Sequence, residues 1–144
     1  MEVFSIRNQI CSDRKDVREF LVQMNAILTR SDFNIDSDVV IQRIKQKDDL
    51  LSPYTTENTM LELDYDCSDV VEELKRLTIA EYHETIIDNL KPTDNLVKFY
   101  VFGHVINGRT IYIKVRIKQR QTRDYIFCIS FHFAEHPITK FPHA

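Results

Sequence analysis

The chain has 144 residues, 43% hydrophobic and 28% charged, with a formal net charge of −3 and a pI near 5.9. That is the length of one domain with one core, and no apolar run of about 18 residues exists to span a membrane. Cys11, Cys67 and Cys128 are odd in number and lack C-x-x-C spacing, and residues 1–11 lack the basic start and apolar centre of a signal peptide. Reduced thiols in a cytoplasmic protein are expected, with neither a disulfide framework nor a zinc cage.

Residues 13–29 put Val17, Phe20, Leu21, Met24, Ile27 and Leu28 at helical spacing, with Ser12 placed to cap and Asp13 and Asp16 near the positive end of the dipole. From 31 to 60 no helical period holds, and Val39-Val40-Ile41, continuing to Ile44, reads as one strand within a loop. Residues 69–77 have apolar positions at Val70, Val71, Leu74 and Leu77 behind a cap at Asp66 or Ser68. Thr78 to Glu81 then fits a capping box opening a second short helix that carries Tyr82 and His83. Residues 88–95, with Lys91-Pro92, read as a polar linker.

The last third changes period. Residues 96–106 and 109–117 flank Asn107-Gly108, a strong hairpin signal because both turn positions need positive φ. Along the second strand Ile111, Ile113, Val115 and Ile117 share one side, and Tyr112, Lys114, Arg116 and Lys118 share the other. A two-residue turn pairs Ile106 with Arg109 and sets Gly103 opposite Tyr112, where the missing side chain either leaves room for a ligand or marks a bulge or bend in a twisted sheet; His104 falls on the core side. A third strand, 125–133, is expected to turn Tyr125, Phe127, Ile129, Phe131 and Phe133 to the core and Ile126, Cys128, Ser130 and His132 away from it.

Charge follows this division. Residues 97–144 hold eight basic side chains against Asp124 and Glu135, a net of +6, and residues 1–96 hold eleven basic against twenty acidic, a net of −9. A local cationic face can meet a polyanion although the whole chain is acidic.

His132 to His136 matches the H-x-x-E-H string of certain zinc proteases, but the string ends an alternating strand and Pro137 follows, so the two histidines are not expected on one helical face. Cys128, His132 and His136 make no better metal set, and no metal or other cofactor is expected. Both glycines lie in one hairpin, which leaves no Walker loop, dinucleotide turn or G-x-S-x-G elbow. What remains is a face with Tyr112, Lys114, Arg116, Ser130 and His132, reachable by His83. Those groups suit metal-free RNA cleavage, in which a base takes the 2′-hydroxyl proton, cations hold the phosphate oxygens and an acid protonates the leaving 5′-oxygen.

The runs Phe99-Tyr100-Val101-Phe102-Gly103, Ile106-Asn107-Gly108-Arg109, Ile111-Tyr112-Ile113-Lys114 and Phe127-Cys128-Ile129-Ser130-Phe131-His132, preceded by Glu73-Leu74, Leu77-Thr78 and Tyr82, resemble the MqsR family of toxin-antitoxin toxins over roughly residues 57–142. The resemblance implies an α+β, RelE-like fold: an antiparallel sheet, here a C-terminal three-stranded meander with at least one N-terminal strand, and helices packed on one face. It also implies an mRNA endonuclease acting with or without the ribosome, and a cognate antitoxin that silences it. On this reading residues 61–144 form the toxin-like core of a single domain and 1–60 an extension. Tyr112 takes the place of the family's tyrosine in its Y-x-K strand, while His132 and His83 stand where the family has lysines; the family's glutamine has no counterpart. The expected catalytic set is His132, His83, Tyr112 and Lys114, with Arg116, Lys118, Ser130 and Arg109 on RNA phosphate. The competing expectation is a non-catalytic protein that uses the same fold to grip a host protein or nucleic acid, with the helix at 13–29 and the 31–60 segment as its working surface.

Overall fold

Asn107 and Gly108 turn the chain with φ of 52° and 79°, and the register they set pairs Ile106 with Arg109 and Gly103 with Tyr112, as a two-residue turn requires. Around this hairpin a computed structural model describes residues 7–88 and 97–144. The architecture is α+β, and its elements in chain order are β1 (Arg7–Ile10), α1 (Arg14–Thr29), α2 (Ile35–Asp38), β2 (Val39–Ile41), α3 (Thr56–Leu63), α4 (Cys67–Lys75), a 3-10 turn (Ile79–Glu81), β3 (Tyr82–Asp88), β4 (Val97–Ile106), β5 (Arg109–Arg120) and β6 (Arg123–Phe133). The six strands make one sheet in the order β1-β3-β4-β5-β6-β2, antiparallel except where β2 runs parallel to β6. No helix among the described residues is long and apolar enough to cross a membrane.

α1 buries the six apolar residues its spacing predicts. They pack on Tyr100, Phe102, Ile111, Ile113 and Val115 of the sheet together with Met60 of α3 and Val70, Val71 and Leu74 of α4. Each such side chain, once buried, contributes roughly 1.5–3 kcal/mol. The cap of α1 is Asp13, whose carboxylate accepts from the Asp16 N–H at 2.8 Å. Ser12 is drawn elsewhere: its N–H donates to the Tyr82 hydroxyl at 2.9 Å and its own hydroxyl shares a hydrogen bond with Thr85 at 2.7 Å.

Three further expectations are corrected. The capping box of Thr78 and Glu81 is present, but it closes one 3-10 turn, and Tyr82 and His83 begin a strand rather than a helix. Thr85, Ile86 and Ile87 there are β-branched, and both β1 and β4 pair with the segment. Part of the 31–60 segment is helical: α3 is capped by Thr55 and lays Thr56 and Thr59 against β6, where their hydroxyls accept from the Phe131 and Phe133 N–H groups. The third correction is in β6. Lys114 pairs with Ser130 but Val115 pairs with Cys128, so Ile129 is an extra residue. This β-bulge reverses the alternation. Phe131 and Phe133 face the core as expected, but N-terminal to the bulge Ile126 and Cys128 take the core side, and Tyr125 and Phe127 turn to the face that carries Lys114, Arg116 and Lys118. The polar linker lies largely outside the described residues.

A buried ion cluster pins the start of β6. The Asp38 side chain is 2% exposed and accepts from Arg123 Nε and Nη2 at 3.0 and 2.9 Å, from Arg30 Nη2 at 3.0 Å and from the Asn34 N–H at 2.8 Å. These bonds hold its carboxyl well below the usual range, Arg123 above all, against the cost of burial. Losing one member of a fully buried pair costs about 3–5 kcal/mol. Because Arg123 keeps solvent and Asp32, Asp38→Ala is expected to cost about 2–3 kcal/mol in urea denaturation, against less than about 0.5 kcal/mol for removing the exposed Lys15–Glu19 pair.

Candidate active site

On the sheet face opposite the helices, β5 and β6 place Tyr112 beside His132 and Lys114 beside Ser130. The Tyr112 and His132 rings stack with centroids 5.2 Å apart and planes 18° from parallel. The His132 Nδ1–H donates to the Phe133 carbonyl at 2.9 Å, which leaves the Nε2 lone pair as its basic atom. Burial pushes this imidazole below its ordinary value, and the charge of Lys45 adds to that, against the opposing effects of the Phe133 carbonyl, Asp48 and Glu135. A histidine in that state is a neutral base at neutral pH.

Lys45 is the residue that sequence reading missed. A tight turn fixes it, with its N–H donating to the Asp48 carboxylate at 2.8 Å and its carbonyl accepting from the Asp48 N–H at 3.0 Å. Its Nζ donates to Ser130 Oγ at 2.7 Å. Only the crossing of β2 beside β6 brings it there, so no local spacing signalled it. Ser130 and Lys114 are 3% and 8% exposed, so they line the floor of the face rather than its wet surface. Lys114 Nζ also lies 4.9 Å from the centre of the Phe99 ring.

The other predicted residues are distributed differently. His83 is the bulged residue of β3, between the Tyr82–Phe102 and Glu84–Val101 pairs. Three strand spacings, about 14 Å, separate its strand from that of His132, so the two do not meet at one phosphodiester. The His83 Nδ1–H donates to the Lys140 carbonyl at 2.7 Å, and Nε2 lies 3.7 Å from Glu84. Glu84 in turn lines, with Gln9, Ile86 and Tyr112, a recess of about 360 Å³ on the same face. Arg109 sits at the hairpin end on the helix side, 2.8 Å from Glu62 of α3 and stacked over Phe133; it does not join the cluster. Arg116 and Lys118 do lie on the cationic face, over the Phe99 and Phe127 rings. Among the described residues no group of three or more His, Cys, Asp and Glu gathers as a metal set. Burial pushes the Cys128 thiol up to about 12, which makes it an inert core group.

The space expected beside Gly103 is filled by the chain itself. After β6 the C-terminal segment crosses the face, and a Cβ on Gly103 would lie 3.0 and 3.1 Å from Phe141 Cε1 and Cζ and 3.3 Å from Ile138 Cδ1. The His143 Nε2–H donates to the Ser12 carbonyl at 2.8 Å, and its ring stacks on Tyr82. The notch thus anchors the tail next to Tyr112.

No family model matches the chain, and neither the curated proteins nor the solved structures contain a match. The likeness to the MqsR family rests on the short residue runs quoted above.

His104 is on the core side as the register predicts, and its two ring nitrogens donate to Glu81 at 2.6 Å and Glu73 at 3.3 Å. Burial alone would lower its pKa, but the two carboxylates outweigh burial and raise it. The stability it contributes is complete below the unfolded value of about 6.5 and is lost as pH rises through the elevated folded value. The melting temperature of the wild type is therefore expected to fall more steeply above pH 6.5 than that of His104→Gln. Gly103→Ala is expected to displace Phe141, read as at least tenfold faster amide exchange in residues 138–141 and 143 with the strands unchanged.

Proposed function

We propose that the chain is a metal-independent endoribonuclease of RelE-like architecture, acting on mRNA through the Tyr112–His132 cluster. The observation that carries this reading is the fixed tautomer of His132, whose Nδ1–H is held by the Phe133 carbonyl, beside two lysines on one sheet face. His132 Nε2 takes the proton of a ribose 2′-hydroxyl, whose oxygen attacks the adjacent phosphorus. The P–O5′ bond breaks, leaving a 2′,3′-cyclic phosphate and a 5′-hydroxyl. Lys114 and Lys45 offset the charge that builds on the non-bridging oxygens. The Lys45 ammonium, held at Ser130 Oγ, replaces His83 as the group that protonates the leaving oxygen. Tyr112 holds the ring of His132 and presents its own edge to the substrate. The resemblance to toxin-antitoxin toxins supplies the rest: a cognate antitoxin as partner, action with or without the ribosome, and a cytoplasmic setting.

A second reading, a non-catalytic binding protein on the same scaffold, is favoured by the separation of His83 from His132 and by the tail seated over Gly103. The two readings part in one assay. An endoribonuclease cuts single-stranded RNA in the presence of EDTA, and His132→Ala slows that cleavage by about 10²–10⁴-fold. The rate should rise with pH through a value below 6.5 and stay level at neutrality, because the base is the deprotonated imidazole. RNA left intact at stoichiometric protein, or cleavage indifferent to His132→Ala, favours the binder.

A further inference from the structure

The β4–β5 pairing ends at Tyr100–Val115, whereas β5 and β6 stay paired to Arg120–Arg123. Past Val115 the hairpin therefore leaves β4 and continues as an arm, flanked on its β6 side by β2. One face of this arm belongs to the core through Ile126 and Cys128. The other is a ladder in which cations and rings alternate. Arg116 pairs across the strands with Phe127 and Lys118 with Tyr125. Lys118 Nζ lies 5.0 Å from the centre of the Phe127 ring, and the Arg120 guanidinium lies 4.3 Å from that of Tyr125. Arg116, Lys118 and Arg120 form no ion pair among the described residues. That contrasts with Arg109 and Arg123, which are both engaged by carboxylates.

We infer that this arm is a binding track for single-stranded nucleic acid, with Tyr125 and Phe127 as base-stacking platforms and Arg116, Lys118 and Arg120 as phosphate contacts. The inference rests on the reading of this face as an RNA surface and extends it to a subsite away from His132. The ligand class follows from the composition of the ladder. Cations alone attract any polyanion, including a duplex, whose bases are already stacked and hidden. Two half-buried rings two residues apart on one strand, about 6.8 Å, are of use only to bases that are unstacked and splayed. An acidic peptide would use the cations and leave the rings idle. The exposed Arg120 that now covers Tyr125 is free to move to a phosphate while a base takes its place on the ring.

The test is fluorescence anisotropy with a labelled, 2′-O-methylated single-stranded RNA of about eight nucleotides, which cannot be cleaved through its 2′-oxygen. Stacking of one base is worth about 1–3 kcal/mol, so Tyr125→Ala is expected to raise Kd by about 5- to 150-fold, with the slope of log Kd against log salt unchanged. Tyr125→Phe keeps wild-type affinity, and Tyr125→Leu, which retains apolar packing, loses as much as the alanine variant. Lys118→Ala flattens the salt slope by about 0.7. The inference is overturned if the wild type does not bind, if a duplex of the same length binds as tightly, or if neither Tyr125→Ala nor Tyr125→Leu weakens binding. Binding that depends on Tyr125 without cleavage of unmodified RNA would sink the catalytic proposal and leave the track standing. Cleavage that depends on His132 with no effect of Tyr125 would do the reverse.

Discussion

The extra residue at Ile129 decides what the sheet presents to the outside. A strand with strict alternation can turn either Phe131 and Phe133 or Ile126 and Cys128 to the helices, not both. The bulge opposite Lys114 and Val115 allows both and sets the N-terminal half of β6 in the opposite phase. As a result Tyr125 and Phe127 join the cationic side chains of β5, and Ser130 and His132 stay beside Lys114 and Tyr112. Without that insertion Tyr125 and Phe127 would turn away from the cations of β5, and the core would hold these aromatic side chains where Ile126 and Cys128 now fit.

The acidic and basic parts of the chain meet in an ordered way. The N-terminal acids neutralise cations of the C-terminal strands: on the helix side Glu62 takes Arg109 and Glu73 and Glu81 hold His104, and at the end of the arm Asp32 and Asp38 take Arg123. These contacts tie the loop, α3 and α4 to β4, β5 and β6. On the other side Arg116, Lys118 and Arg120 lie over aromatic rings. The net charge of −3 therefore conceals a fold in which carboxylates tie elements together, while Arg116, Lys118 and Arg120 along one arm form no ion pair among the described residues.

Much of this was legible in the residues. The helical period of 13–29, the Asn107-Gly108 turn and the alternation of β5 each follow from local rules, and together they set Gly103 against Tyr112 and His104 toward the core. What escaped were features that depend on distant partners. Tyr82 and His83 read as part of the short helix opened by the capping box, yet the segment becomes a strand because β1 and β4 offer their edges. Lys45 reaches Ser130 only because β2 lies beside β6. The phase change at Ile129 has no marker such as glycine or proline, and the notch at Gly103 gave no sign that the chain's own Phe141 would fill it.

That tail bears on how the face works. Ile138 and Phe141 lie over Gly103, next to the Tyr112–His132 stack, whereas the ladder from Arg116 to Tyr125 points away along the arm. The measurement that bears most directly on an RNA-binding second face is a titration of the isotopically labelled protein with a non-cleavable single-stranded RNA, followed by NMR. The account predicts shift changes confined to the His132 and Tyr112 rings and to residues 114–127 on that face, with α1 and α4 unmoved. Changes centred on the helices or on the exposed Leu50 and Leu51, or no changes at saturating RNA, would contradict it.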